Sequence, residues 1–428
     1  MPSMRQIPVC KVSILSILLI ALVLAGCTSP LDKDNTSGNT SSAIITSKNS
    51  VALANNHFAR NMYVQLAGDP KYVGKNLFFS PFSLSSALAV TYEGARGTTA
   101  DEIRSVCHFP NDTALLRDDF SQINAGINSG KDNSSLNTAN ALWGEKTYTF
   151  RTDYISTAER WYSVNATNLD FINQPEASRQ TINRWVSTNT KDRINDLMPP
   201  GTVTPLTRLV ITNAVYFKDV WAKQFKAEYT KDANFHVSPE KIVKVRMMKM
   251  SDKFPYAETA NLQMLSLPYS SRSGNNLTMI ILLPKSDSLA AAESALEPEN
   301  LSRLERSALI QQVSVYFPKF RFDTQYLLRQ PLTALGMPTA FKNAADFSGM
   351  DGSRNFSIND VIHNAFVNVD EEGTEAAAAT AVVMVGAYPG EHEKPVPVFR
   401  ADHPFVFLIK DNNTGAILFL GRVSNPTG

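Results

Sequence analysis

Cysteine is scarce, three in 428 residues, and two of the three, Cys10 and Cys27, lie near the start of the chain. Only Cys107 remains further on, so no intrachain disulfide is available to staple a domain. Cys107 follows Ile103 and Val106 on a predicted helix and reads as a small core residue. An excess of one charge is also missing. Lys and Arg total 41 against 40 Asp and Glu, a formal net charge of +1. With no basic run either, a nucleic-acid partner is not expected. The six His are scattered. There is no Gly-x-Ser-x-Gly elbow, His-Glu-x-x-His or paired-Cys motif, so nothing points to an enzyme. Glu391-His392-Glu393 has no second His nearby and lies between prolines, which suits a solvated charge cluster. Neither a metal nor a cofactor is expected.

Long apolar runs are absent apart from one near the start. Val12 to Ala25 is apolar save for two serines, after a start carrying Arg5 and Lys11. A membrane span needs about 20 residues, so this reads as a targeting segment. It ends in Leu24-Ala25-Gly26-Cys27, which resembles the lipobox of a prokaryotic lipoprotein. Small residues fit a narrow peptidase pocket, and the Cys27 thiol would accept lipid. An ordinary signal peptide with an incidental Cys is the alternative. The expected organisation is a leader at 1–26, a flexible polar tether at 27–50 and one domain at 51–428. The expected location is outside the cytoplasm, secreted or anchored to the outer face of the membrane by lipid alone. Sequons at Asn35, Asn39, Asn133 and Asn165 allow glycosylation.

What is present is punctuated helix and strand pattern without a linker or internal repeat. Val51, Ala54, Phe58, Met62 and Leu66 keep helical spacing. Asn76 to Phe79 predicts a short strand, and Ser80-Pro81 the start of a helix whose Leu84–Tyr92 stretch is too apolar for a surface. Gly94 to Thr99 breaks it. Leu209 to Lys218 is a strongly β-like run.

The most informative stretch is Val361 to Arg400. Val361–Val369 alternates as a half-buried strand, and Asp370-Glu371-Glu372-Gly373 predicts a turn. From Thr374 to Val385 there is no Pro, no Gly and one charge, Glu375. Thr374, Ala376, Ala378, Thr380, Val382 and Met384 share one parity, and none is ionisable. As a strand, this tract would turn a small, uncharged face to a core. Pattern alone equally allows an Ala-rich helix or a disordered linker.

The run Val367-Asn-Val-Asp-Glu-Glu-Gly-Thr-Glu-Ala-Ala-Ala-Ala-Thr380 resembles the hinge of the serpins, the serine protease inhibitors, in its inhibitory form. Further stretches carry the same resemblance, which covers roughly residues 50 to 425. They include Ser80-Pro81-Phe82-Ser83, Ala139-Asn-Ala-Leu-Trp143, Ile182-Asn-Arg-Trp-Val186 as the opening of a helix crossing the sheet, Pro318-Lys319-Phe320 and His403-Pro404-Phe405. Two departures stand out. Asp219 occupies a usual Gly position, and Gly390 to Pro397 is longer than usual. The resemblance implies an α+β serpin fold. It has a large mixed main sheet, two further sheets, about eight or nine helices and an exposed reactive-centre loop at about 374–397.

The resemblance also implies roles. Glu371, Gly373, Thr374, Glu375, Ala376, Ala378 and Thr380 match the hinge. Ser80, Ser83, Asn213 and His363 match the shutter, a buried polar network behind the sheet, and Trp221 matches the breach where the hinge enters. The expected partner is a serine protease, which cuts the loop and is trapped as the loop becomes a new strand. The bond falls about fourteen residues past the hinge glycine, at Ala387-Tyr388. Tyr388 and Lys394 each precede Pro, which leaves only small residues to recognise. An elastase-like or subtilisin-like protease with a small-residue pocket fits, and a monomer is expected. The alternatives are a non-inhibitory member acting as a surface binding or chaperone-like module, and a cysteine protease inhibitor.

Overall fold

The computed structural model describes residues 49–128, 135–270, 276–374 and 395–428. These belong to one unit, Ile44–Gly428. The other unit, Met1–Ala43, with the leader, most of the tether and Cys27, lies outside the described residues. So do Glu375, Ala376, Ala378, Thr380, Ala387 and Tyr388.

Fifteen strands are described. In chain order they are β1 (Leu77–Phe79), β2 (Ser135–Glu145), β3 (Asn165–Leu169), β4 (Leu209–Val220), β5 (Lys231–Ser238), β6 (Lys241–Glu258), β7 (Leu262–Pro268) and β8 (Leu277–Pro284). Then come β9 (Leu309–Pro318), β10 (Phe320–Leu327), β11 (Ile358–Val369), β12 (Gly373–Thr374), β13 (Val398–Arg400), β14 (Phe405–Asp411) and β15 (Ile417–Val423).

The main sheet has six strands in the order β10-β11-β12-β4-β2-β3. It is mixed, because β11 and β4 run parallel while β10–β11 and β4–β2 run antiparallel. Where two further sheets were expected, the other strands form a single nine-stranded sheet. The cause is β6, 18 residues long, which pairs with β5 near one end and β7 near the other, and with β9 between. The described residues hold ten α-helices, against about eight or nine expected.

Both faces of the main sheet are covered, which explains the continuous apolar run of β4. Leu209, Ile211, Val215 and Phe217 face the larger core, while Val210 and Ala214 join a smaller cluster with Ile182 and Val186. On the larger-core side lies the helix Pro81–Gly94. Ser80 caps it, accepting from the Ser83 amide, and Pro81 stands in the first turn, where its missing N–H costs nothing. On the other side lies the helix Pro175–Asn189. It does not open at Ile182. Pro175 starts it, and Ile182, Asn183 and Val186 are buried in its middle. Cys107 ends a helix that starts at Gly97 and is fully buried, and burial pushes its thiol well above the usual range. Among the described residues no helix is long and apolar enough to cross a membrane.

Candidate functional site

The parallel pair β11–β4 is the centre of the site. His363 on β11 and Asn213 on β4 are register partners, both fully buried. The Ser80 amide donates to His363 Nε2 at 3.1 Å, so the ring proton sits on Nδ1. Nδ1 reaches the Asn213 side-chain oxygen at 2.5 Å and its carbonyl at 3.1 Å. Asn213 Nδ2 in turn donates to Ser83 Oγ and to Asn140 Oδ1, both at 2.7 Å. Ser83 Oγ also donates to Asn140 Oδ1 at 2.7 Å, and Ser80 Oγ to the Leu418 carbonyl at 2.7 Å. The sequence-predicted Ser80, Ser83, Asn213 and His363 therefore form one network joining β11, β4 and the cap of the buried helix. Burial drives the His363 pKa down to about 3, so the ring is neutral at pH 7.

The second cluster lies where β11 leaves the sheet. Asp370 turns the chain, its carboxylate accepting from the Glu372 and Gly373 amides at 3.0 and 3.3 Å. Burial raises its pKa, against those bonds. The chain then returns as β12 and pairs antiparallel with β11 (Val369–Thr374) and with β4 (Gly373–Val220, Thr374–Asp219). A Cβ on Gly373 would stand 2.1 Å from the Asp219 carbonyl oxygen and 2.8 Å from Val220 Cα. Only glycine allows that approach. Thr374 is fully buried, its hydroxyl 2.8 Å from Tyr269 Oη. Burial pushes the Tyr269 phenol far above its ordinary range, and the nearby Asp219 charge adds to the effect. The Asp219 departure thus falls directly beside Gly373 and Thr374.

Trp221 covers this corner. Its ring stacks on Tyr269 at 4.6 Å, its indole N–H donates to the Asp370 carbonyl at 3.0 Å, and its amide to the Glu372 carbonyl at 2.9 Å. Glu371 is held by Lys319 Nζ at 2.6 Å and Thr230 Oγ1 at 2.7 Å. Burial pushes its carboxyl up, but those bonds outweigh this and hold it below its usual pKa.

Sequence reading missed Tyr269 and Thr230, and saw Asn140 and Lys319 only within signatures. Asn140 did leave a signal, a lone amide between Ala139 and Ala141 in an apolar strand. Neither cluster pairs a nucleophile with a base. Among the described residues no group of three or more His, Cys, Asp or Glu could hold a metal. What both clusters can do is hold two strands together and seat the first residues of a third between them.

Comparison with known proteins accounts for such a seam. The model of the family "Serpin (serine protease inhibitor)" matches residues 53–426. An uncharacterised serpin-like protein of Methanosarcina acetivorans is 41% identical, covering 88% of each chain. The leukocyte elastase inhibitor of Xenopus laevis is also 41% identical, over 82% of this chain and 93% of that one. Among solved structures, human thyroxine-binding globulin superposes with a TM-score of 0.80 at 28% identity, covering 89% of this chain and 99% of the other. Uncleaved ovalbumin superposes at 0.78, also at 28% identity, covering 88% and 100%. A match of this extent, over a sheet in which Gly373 and Thr374 enter between two parallel strands, leaves one conclusion: the chain belongs to the serpin family.

Proposed function

We propose that this chain is an irreversible inhibitor of serine endopeptidases of the elastase-like or subtilisin-like kind, trapping the acyl-enzyme by inserting its cleaved loop between β11 and β4. The observation that carries this reading is β12. Its two residues pair antiparallel with both strands of a parallel pair. Carried on in that register, Thr380 falls between His363 and Asn213, and Met384 falls opposite Leu209 at the far end of β4. The seam therefore accommodates the tract that lacks Pro and Gly, and Ala387-Tyr388 follows shortly after it. The one polar residue on the inward parity beyond Thr374 meets the one polar pair in the seam. Parting His363 from Asn213 breaks their hydrogen bond, and the Thr380 hydroxyl supplies a replacement.

Insertion exchanges one parallel ladder for two antiparallel ones. The net gain is on the order of ten hydrogen bonds at ~0.5–1.5 kcal/mol each. That total, ~10 kcal/mol, matches the whole stability of an ordinary domain, ~5–15 kcal/mol. The 41% identity to a leukocyte elastase inhibitor supports the target class. The test is incubation with pancreatic elastase or subtilisin followed by a denaturing gel. A covalent band at the summed mass is expected, with cleavage after Ala387. Clean hydrolysis of the loop without any such band overturns the proposal in favour of a non-inhibitory binding module.

We also propose that Cys27 carries a lipid that holds a monomeric inhibitor at the outer membrane surface. The Leu24-Ala25-Gly26-Cys27 ending supports it. Expressed in a bacterial host, Cys27→Ser should move the protein from the membrane to the soluble fraction. Unchanged fractionation and processing would refute the anchor.

A further inference from the structure

Beside the reactive-loop exit lies a pocket of about 270 Å³ that inhibition by loop insertion does not use. Tyr229, Lys231, Met247, Lys249, Tyr316 and Arg400 line it. Strand register sets them side by side. Lys249 is opposite Tyr316 across β6–β9, Tyr316 opposite Arg400 across β9–β13, and Lys231 opposite Met247 across β5–β6. The Arg400 guanidinium lies 3.8 Å from the Tyr316 ring centroid and Lys249 Nζ 5.2 Å.

The cations around the pocket have acids of their own. Arg246 pairs with Asp232 at 3.2 Å, Lys319 with Glu371 at 2.6 Å and Lys226 with Glu228 at 4.0 Å. The three inside it, Lys231, Lys249 and Arg400, have no carboxylate within ion-pair distance among the described residues. Lys231 and Lys249 stand on adjoining strands and Arg400 on the far side of Tyr316, and like charges gathered around one pocket repel. An anion between them removes that cost and gains charge-assisted hydrogen bonds. The Tyr316 phenol reports the same field. Its hydrogen bond with Lys249 lowers its pKa, and the Lys249 and Arg400 charges add to the effect. The remaining surface is apolar and aromatic. Met247 is buried, and Tyr229 is 50% exposed with Lys226 Nζ 5.7 Å from its ring centroid. Sites for drug-sized molecules run to roughly 300–1,000 Å³, so this one suits a fragment of one or two rings.

We propose that this pocket binds a small organic anion, a carboxylate or sulfonate on a flat aromatic body. The acid group sits among Lys231, Lys249 and Arg400, and the ring lies against Tyr229 and Met247. The site stands on the sheet face and does not depend on loop insertion.

Calorimetric titration of the full chain with 2-naphthoate and with naphthalene-2-sulfonate tests it. Both should saturate one site with a sub-millimolar Kd. Neutral 2-naphthamide and inorganic sulfate should each bind at least about tenfold more weakly, since one lacks the charge and the other the ring. Arg400→Gln and Lys249→Met should each weaken naphthoate by about tenfold or more, while Lys285→Met, which breaks a surface pair with Glu258, should not. Spectrophotometric titration should show the Tyr316 phenol pKa rising as naphthoate binds, and Tyr316→Phe should remove that signal. Equal binding of naphthamide or of inorganic sulfate, no saturation, or variants that bind normally would overturn the proposal. So would a tenfold gain in affinity on replacing Glu391 and Glu393 together by Gln, which would assign the pocket to the chain's own acids. None of these outcomes bears on the covalent complex with protease.

Discussion

His363 accepts one hydrogen bond from the Ser80 amide and gives one to Asn213, so its neutral form satisfies the network and its charged form does not. Its folded pKa of about 3 lies below the ordinary value of 6.5, through burial. Below 6.5 the unfolded chain takes up a proton that the folded one refuses. The stabilisation is therefore complete above 6.5 and is lost as pH falls towards 3, by up to roughly 1.4 kcal/mol per pH unit. His403 works in the opposite direction. Burial lowers its pKa, but bonds to Asp402 at 3.0 Å and to the Pro284 carbonyl at 2.7 Å outweigh this and raise it. Its contribution is complete below 6.5 and is lost as pH rises through the folded value. Melting temperatures across pH 4–8 should thus fall on the acid side. His363→Gln should cost ~1–3 kcal/mol at pH 7, because a buried group loses its partner, and should flatten the acid limb. An acid limb as steep as that of the unmodified protein would remove His363 as its cause.

At the scale of elements, the turn after β11 and the entry of Gly373 and Thr374 are legible in the sequence because their chemistry is local: an acidic turn, then a glycine and a small residue. Thr374 at the first inward position is buried in the sheet, as its parity requires. An Arg there must displace the Tyr269 hydroxyl and bury a charge beside a chain that leaves no room, a cost of several kcal/mol. Slowing insertion by ~3 kcal/mol is about a hundredfold in rate. On the proposed mechanism, Thr374→Arg should therefore turn the inhibitor into a substrate, and Glu375→Arg, on the opposite parity, should do much less. The ratio of inhibitor consumed to protease inactivated reads this directly. If that ratio stays near its unmodified value for Thr374→Arg but rises for Glu375→Arg, the inward parity is wrong by one residue. Other elements were less legible. The run of β4 showed through because both its faces are covered. The start of the helix at Pro175 did not, because its first two turns are largely polar while its apolar packing begins near Ile182. The joining of two sheets through β6 was not legible either. Lys241–Glu258 alternates irregularly, and its partners β5, β7 and β9 are fixed only by the whole fold. The places of Asn140 and Tyr269 in the site were not legible for a related reason, since their partners lie 73 and 105 residues away.

At the scale of the molecule, the proposed mechanism requires the intact protein not to be the most stable arrangement of its own chain. The main sheet closes on itself through β11–β4, and among the described residues Gly373 and Thr374 are taken in between them at one end. Both ends of the loop are fixed, one at β12 and the other at β13, where the Ser314 amide donates to the Pro397 carbonyl at 2.9 Å. On the proposed mechanism, these two anchored ends set a topological barrier to insertion, and cleavage would remove it. Nicking an ordinary surface loop leaves stability equal or lower. Here the freed tract would enter between β11 and β4, break the His363–Asn213 hydrogen bond and complete two antiparallel ladders. The gain of several kcal/mol in ladder hydrogen bonds outweighs the ~1–3 kcal/mol of that broken bond, since Thr380 then stands between its two former partners. Limited digestion with elastase should therefore raise the melting temperature by well over ten degrees. A gain of ~10 kcal/mol is large against the few degrees per kcal/mol typical of a chain this size. Calorimetry before and after the cut measures it. An unchanged or lower melting temperature after complete cleavage near Ala387 would mean that the loop does not insert, and the trapping mechanism would fall with it.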